Sequence, residues 1–369
     1  MSLLTDLVKK TGNEYASLVK DGVAAGDVSG WIDTGSYAFN ALVSGSLFGG
    51  LPSNKVTALA GESTTGKTYF TLGILKNFLR DNPEGIVMFF ESESAISKDM
   101  MEERGLDTSR IAIVPVETVE QFKTQALRTV DMYLEASKKK DKPPPLVMCL
   151  DSLGNLSTEK EMADSAEGKN VRDMTRSQVV KAAFRTLTLK LGKANIPMII
   201  TNHVYEVIGQ MYADKEMGGG SGLKYAASTT IFLTKSKARG EDIGGGSADK
   251  SVVGSIITAT AKKSRLTKEG SKVKTMLTHD RGLSRYFYLL EMGLESGIIV
   301  KEGSRYSING GPKVFKKDIL GNPKEHYDQA FLEALDVWVG HQFTYANMTE
   351  DEVYEKLMES DEDAGPEQD

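Results

Sequence analysis

Gly61-Glu62-Ser63-Thr64-Thr65-Gly66-Lys67-Thr68 reads as a loop built to hold phosphate. Its two glycines permit a tight turn, while successive backbone N–H groups and the start of the following helix face an anion. Lys67 neutralises terminal phosphates, and the Thr68 hydroxyl is a ligand for Mg2+. The setting gives the pattern its meaning. Val56 to Ala60 is a short apolar strand before the loop, and a helix runs on from it through Leu79 until Asp81-Asn82-Pro83 stops it. ATP with Mg2+ is therefore the expected ligand, held by Gly61, Glu62, Ser63, Thr64, Thr65, Gly66, Lys67 and Thr68, with Tyr69 beside them.

Outward from this loop the chain alternates strands and helices. The short apolar runs Ile86 to Phe90, Ile111 to Val114, Leu146 to Leu150 and Met198 to Thr201 are separated by helical stretches, the pattern of a largely parallel sheet covered on both faces. One helix starts at a capping box, Thr118-x-x-Gln121, and carries Val119, Phe122, Ala126, Val130 and Leu134 along one face. After Leu223 the runs Thr229 to Leu233, Val253 to Ala261 and Val273 to Thr278 lack long helices between them and predict an antiparallel extension.

Leu3 to Lys20 has apolar residues at helical spacing, followed by a flexible Gly- and Ala-rich stretch from Asp21 to Gly30. A helix tethered in that way needs a neighbour or the core to cover its apolar face. The expected class is thus α/β, a phosphate-loop NTPase core with a largely parallel sheet, an N-terminal oligomerisation helix and a small α+β C-terminal domain. The expected boundaries are 1–33, 34–280, 281–347 and an acidic disordered tail, 348–369.

The net charge of −6 argues against a nucleic-acid partner only until its location is read. Glu350 to Asp369 holds ten acids and one base, Lys356, so the rest of the chain carries about +3. The tail resembles a competitor for basic surface as much as a solubilising end. The longest apolar runs are too short to span a bilayer, no charged-then-apolar leader is read, and the lone cysteine, Cys149, forms no intrachain disulfide. These point to a cytoplasmic protein without a membrane partner.

Hydrolysis needs a metal-holding acid and a base for water. Asp151 ends the strand Leu146 to Leu150, where a carboxylate faces the crevice at the sheet's C-terminal edge and can hold the Mg2+ water shell with Thr68. For the base, Glu91 and Glu93 follow the strand Ile86 to Phe90, beside the strand that delivers the phosphate loop. Side-chain alternation puts both on one side, so spacing does not choose between them.

At this point the chain resembles the RecA recombinases, and within them those of T-even-type phages. The segments that carry the likeness run in order: Thr34-Gly35-Ser36, the phosphate loop, Glu91-Ser92-Glu93, Asp151 to Leu156, Asp173 to Arg176, Asn202-His203, Gly218 to Gly222, Lys262 to Arg265 and Leu289 to Gly293. The resemblance implies Glu93 as the catalytic base and His203 as the sensor of the γ-phosphate. It also implies Lys263 and Arg265 as cations that reach the next subunit's γ-phosphate. ATP would then be sandwiched between subunits of a helical filament.

The resemblance further implies that two loops, Ser157 to Val171 and Val204 to Ser221, hold single- and double-stranded DNA. Bacterial RecA has an arginine and a lysine early in the second loop, where this chain has Tyr205 and Val207. Charge neutralisation is therefore expected from Arg172, Arg176, Arg185, Lys215 and Lys224. Tyr205, Ile208 and Tyr212 are expected against bases, and Gly219 and Gly220 in a loop ordered by DNA. Met100 stands where bacterial RecA stacks a tyrosine on adenine. The expected activity is DNA-dependent ATP hydrolysis with strand exchange, assisted by a single-strand-binding protein and a mediator. A hexameric helicase on the same core and a non-hydrolysing paralogue are the rivals; intact Lys67, Thr68, Glu93 and Asp151 weigh against the latter.

Overall fold

The computed structural model describes residues 3–23, 25–139, 141–169, 174–206, 215–218, 221–244, 250–279 and 282–345. Its centre is one mixed sheet. The strands are β1 (Val56–Gly61), β2 (Ile86–Glu91), β3 (Ile111–Pro115), β4 (Leu146–Asp151), β5 (Met198–Glu206), β6 (Lys215–Met217), β7 (Thr229–Arg239), β8 (Val252–Ser264), β9 (Lys272–Thr278) and β10 (Gly282–Leu283). Their order across the sheet is β10-β9-β8-β7-β1-β5-β4-β2-β3, with β6 paired to β5. From β3 to β7 neighbours are parallel; β7 to β10 are antiparallel, as the helix-poor second half of the sequence predicts.

Period-two alternation divides the core between two faces. Along β4, Leu146, Met148 and Leu150 join one apolar cluster while Val147 and Cys149 join the other. Both faces are covered, so the strand reads as a continuous apolar run.

The helices are α1 (Leu3–Lys10), α2 (Tyr37–Ser44), α3 (Lys67–Asp81), α4 (Lys98–Glu103), α5 (Val119–Ser137), α6 (Glu159–Ala166), α7 (Arg176–Ala194) and α8 (Ser221–Ala226). Phe122 of α5 bridges Phe90 of β2 and Phe184 of α7, at 5.2 and 6.1 Å between ring centres. Thr118 caps α5 by accepting from the Gln121 N–H, but the Gln121 side chain accepts from Glu117 rather than closing the reciprocal box. On the other face α2 and α3 pack with residues 289–343, including a three-stranded antiparallel sheet (Ile299–Glu302, Arg305–Ile308, Val314–Phe315) and the helix Gln329–Phe343.

Three expectations change. The N-terminal helix stops at Lys10, because Thr11-Gly12-Asn13 breaks it and Gly12 takes φ 63. The stretch after it is pinned to the core: Lys55 donates to the Ala25 and Gly26 carbonyls, Asn54 to Asp27, and Ser29 to Asn195. The two expected DNA loops contain regular structure. The first holds α6, closed by a Thr158–Glu161 capping box, and the second opens as a β5–β6 ribbon in which Tyr205 faces Glu216. None of the described helices is long and apolar enough to cross a membrane.

Candidate active site

The phosphate loop turns between β1 and α3 with Thr64 at φ 62 and Gly66 at φ 91, both left-handed. Gly66 meets that demand without a Cβ penalty and caps α3. A Cβ on Gly61 would lie 2.9 Å from the Leu233 carbonyl, so the loop's start needs glycine for the close approach of β7. Thr65 donates its hydroxyl to the Glu62 carbonyl at 2.6 Å and closes the turn. Lys67 donates to the Gly61 and Glu62 carbonyls at 3.0 and 2.9 Å, which places its ammonium over the loop. From β7, Lys235 donates to the Thr64 carbonyl at 2.7 Å, a contact the sequence does not announce because an exposed lysine on a strand is ordinary.

Asp151 sits at the tip of β4, buried. One carboxylate oxygen accepts from the Thr68 hydroxyl at 2.6 Å and the other accepts from the Thr201 hydroxyl on β5. Burial pushes the Asp151 carboxyl above its ordinary range, opposed by the Thr201 and Thr68 hydroxyls and by Lys67, and reinforced by Glu93. Lys67 is pushed down by its own burial, against the pull of Asp151 and Glu93. Hard oxygens of Thr68 and Asp151, converging beside a phosphate-binding turn, fit Mg2+. Among the described residues no group of three or more His, Cys, Asp or Glu gathers, so such an ion would complete its shell from phosphate and water.

The two candidate bases separate sharply. Strand β2 is not beside β1, as expected, but is separated from it by β5 and β4. Glu91 is buried and its carboxylate accepts from the Glu93 and Ala95 N–H groups at 3.0 and 2.9 Å, so it holds the turn in which Ser94 takes φ 53. Glu93 faces the cleft. Its Oε1 accepts from the Ser152 hydroxyl at 2.7 Å and lies 3.3 Å from His203 Nε2. The alternation argument fails because the chain leaves extended geometry at the turn.

His203 also stands at the root of the second loop. Its carbonyl accepts from the Gly218 N–H at 2.9 Å, and the neighbouring Asn202 donates to the Gly218 carbonyl at 2.7 Å. A group that touches Glu93 is thereby held on the ribbon from which the loop springs.

These residues line a cleft of about 1330 Å3 that includes Ser63, Thr64, Thr65, Gly66, Lys67, Thr68, Tyr69, Glu93, Asp151 and His203. Met100, expected at the nucleotide base, is not among them. Its side chain packs against the apolar cluster next to buried Met101, because α4 turns its thioethers inward, and Glu102, Glu103 and Arg104 take the cleft side.

Lys263 and Arg265 lie outside this cleft. Lys263 donates to the Lys224, Tyr225 and Ala227 carbonyls at 2.6, 3.2 and 2.7 Å and so caps the C-terminus of α8; Arg265 reaches Tyr225 only at 3.5 Å. Of the expected DNA contacts, Arg185 and Lys224 are exposed and Tyr205 is 51% exposed. Arg176 is engaged internally, with Glu161 at 3.1 Å and the Gly154 carbonyl at 3.2 Å. Lys215 begins β6. Arg172, Ile208, Tyr212, Gly219 and Gly220 lie outside the described residues, as does the acidic tail.

A family model described as the RecA N-terminal domain matches residues 3–282. The recombination and repair protein of Enterobacteria phage T4 is 34% identical over 263 residues, which are 71% of this chain and 63% of that protein, so the match spans less than two thirds of the relative. Protein RecA of Nocardia farcinica is 28% identical over 311 residues, 83% of this chain and 80% of that one. Protein RecA of Thioalkalivibrio sulfidiphilus is 26% identical over 314 residues, 83% and 82% of the two chains.

Proposed function

The chain belongs to the RecA family, and from that premise we propose that it is a DNA-dependent ATPase that polymerises on single-stranded DNA and exchanges strands with homologous duplex. The observation that carries this reading is the meeting of Lys67, Thr68, Asp151, Glu93 and His203 in one cleft, with His203 also anchored to the root of the second loop. The name of the phage relative, recombination and repair protein, points the same way.

In this reading Lys67 and the loop N–H groups take the β- and γ-phosphates of ATP. Thr68 would hold Mg2+, with Asp151 beside it for the ion's water shell, and the ion would supply charge neutralisation. Glu93 accepts the proton of the attacking water, and Ser152 orients the carboxylate. His203 reads the γ-phosphate and passes its presence to the second loop through Asn202 and Gly218. Lys263 and Arg265 complete the neighbouring subunit's site, so turnover requires the filament. The α1 helix, with Leu3, Leu4 and Leu7 at 75, 60 and 53% exposure, offers an apolar face for that neighbour. Arg172, Arg185, Lys215 and Lys224 neutralise DNA phosphates, with a single-strand-binding protein and a mediator as assisting partners.

The test is ATP turnover with and without single-stranded DNA, together with joint-molecule formation, for the parent and Glu93→Gln. DNA-stimulated turnover and joint molecules are expected of the parent. Glu93→Gln is expected to lose on the order of 10³-fold in turnover. Absence of joint molecules rejects the recombinase reading, and undiminished turnover by Glu93→Gln rejects the base.

A further inference from the structure

In the same cleft, the guanidinium of Arg104 lies over the ring of Tyr69, 4.1 Å from its centroid. Tyr69 directly follows Thr68, so this pair is within a nucleotide's reach of the phosphate loop. Both side chains line the cleft, and Tyr69 stays 40% exposed although it lies on a core helix. Arg104 donates to the Met100 carbonyl at 3.2 Å, which fixes its orientation at the end of α4. Beside it, Gly105 takes φ 72 and lines the same cleft without a side chain. His279 lines that cleft from the antiparallel side of the sheet.

We propose that the Tyr69–Arg104 stack is the platform on which this chain holds the base of its nucleotide, recognised through its face. The inference rests on reading the phosphate loop as the site of a nucleoside triphosphate. A planar guanidinium backed by a phenol ring presents a flat, polarisable surface to a heterocycle, and such surfaces hold bases without reading their edges. With Met100 turned inward, the described residues of α4 offer no aromatic side chain to the cleft, and Arg104 is the planar group that the helix end supplies.

The experiment separates base from phosphate by measuring two probes, ATP and inorganic tripolyphosphate, against the parent chain, Arg104→Lys and Tyr69→Leu. Arg104→Lys keeps the charge and removes the plane; Tyr69→Leu removes the ring behind it. Each is expected to weaken ATP by roughly 10-fold and to leave tripolyphosphate within about 2-fold, so the ratio of the two affinities moves. Equal weakening of both probes would assign the pair a charge or folding role and overturn the platform, as would unchanged binding of both. If the parent binds neither probe, the phosphate-loop reading itself fails.

Discussion

Two regions of the molecule hold the residues to which the proposed function gives roles, and they are finished to different degrees. In the phosphate cleft each functional group is already held: Lys67 on two loop carbonyls, Asp151 between Thr68 and Thr201, Glu93 between Ser152 and His203. On the face around α7, α8 and the β5–β6 ribbon the cations are either exposed, like Arg185 and Lys224, or spent on their own chain, like Arg176 and Lys263. The proposed function accounts for the difference: a site for a small ligand is preorganised by one chain, whereas a face for DNA and for a second subunit would acquire its partners on assembly. His203 belongs to both regions and is the joint between them.

The largest effects test whether the cleft is complete in one chain. Glu93→Gln and Glu91→Gln separate the two acids. The first should lower turnover by on the order of 10³-fold while leaving ATP binding near that of the parent. The second replaces the charged acceptor of two turn N–H groups by a neutral amide oxygen and should show itself as a modest loss of stability in a thermal melt. The reverse pattern would exchange their roles. Lys263→Ala breaks the comparison from the other side. Turnover should fall by on the order of 100-fold, less than for a lone arginine finger because Arg265 shares the task. Mixing Lys263→Ala with Glu93→Gln should restore part of the activity if the lysine acts on a neighbour's site. No recovery on mixing places the loss in its own chain, through fraying of α8.

The two regions also differ in how far they were legible. The cleft was written in local pattern: a glycine-spaced turn between strand and helix, and an acid at the end of an apolar strand. Its mistakes arose where chain direction changed. Glu91 and Glu93 look equivalent under alternation until the turn at Ser94 separates them, and Met100 is expected at the nucleotide base until α4 packs its thioethers inward. Ser152, Thr201, Lys235 and Arg104 were invisible because a hydroxyl or cation has no periodic signal; only strand order and turn geometry make them neighbours. On the second face, residue type announced charge but not pairing. Nothing in the spacing of Glu161 and Arg176 says that a capping box would present the acid to the arginine across the first loop.

That pairing sharpens the comparison at a smaller scale. Arg185→Ala should reduce the salt dependence of single-stranded DNA affinity by about one charge and weaken binding several-fold at low salt. Arg176→Ala should change the slope less, because Glu161 already balances it, and should instead destabilise the first loop. Equal changes in slope would mean that Arg176 leaves Glu161 when DNA arrives.

The smallest effect concerns how the cleft tolerates its own charges. Burial raises the Asp151 carboxyl above its ordinary value, so protonation favours the folded state; Asp151's contribution to stability is full below the unfolded value and is lost as pH rises through the folded one. Lys67 is shifted the opposite way, its contribution present above the ordinary lysine value and lost as pH falls through the lowered one. Both shifts report the cost of holding a charge in a buried place, which the mutual attraction of the two groups offsets only in part. Asp151→Asn removes the titrating acid but also one hydroxyl acceptor, so its absolute effect on stability is mixed. Its pH dependence is not. The melting temperature of Asp151→Asn minus that of the parent should grow as pH rises past the ordinary aspartate value, by a few degrees at most. Adding Mg2+ should shrink the difference, since a cation favours the ionised parent. A difference that stays flat or falls with pH would mean that Thr68, Thr201 and Lys67 already compensate the buried carboxylate. The cleft would then be at rest without its ligands, no longer a site that ATP and Mg2+ relieve.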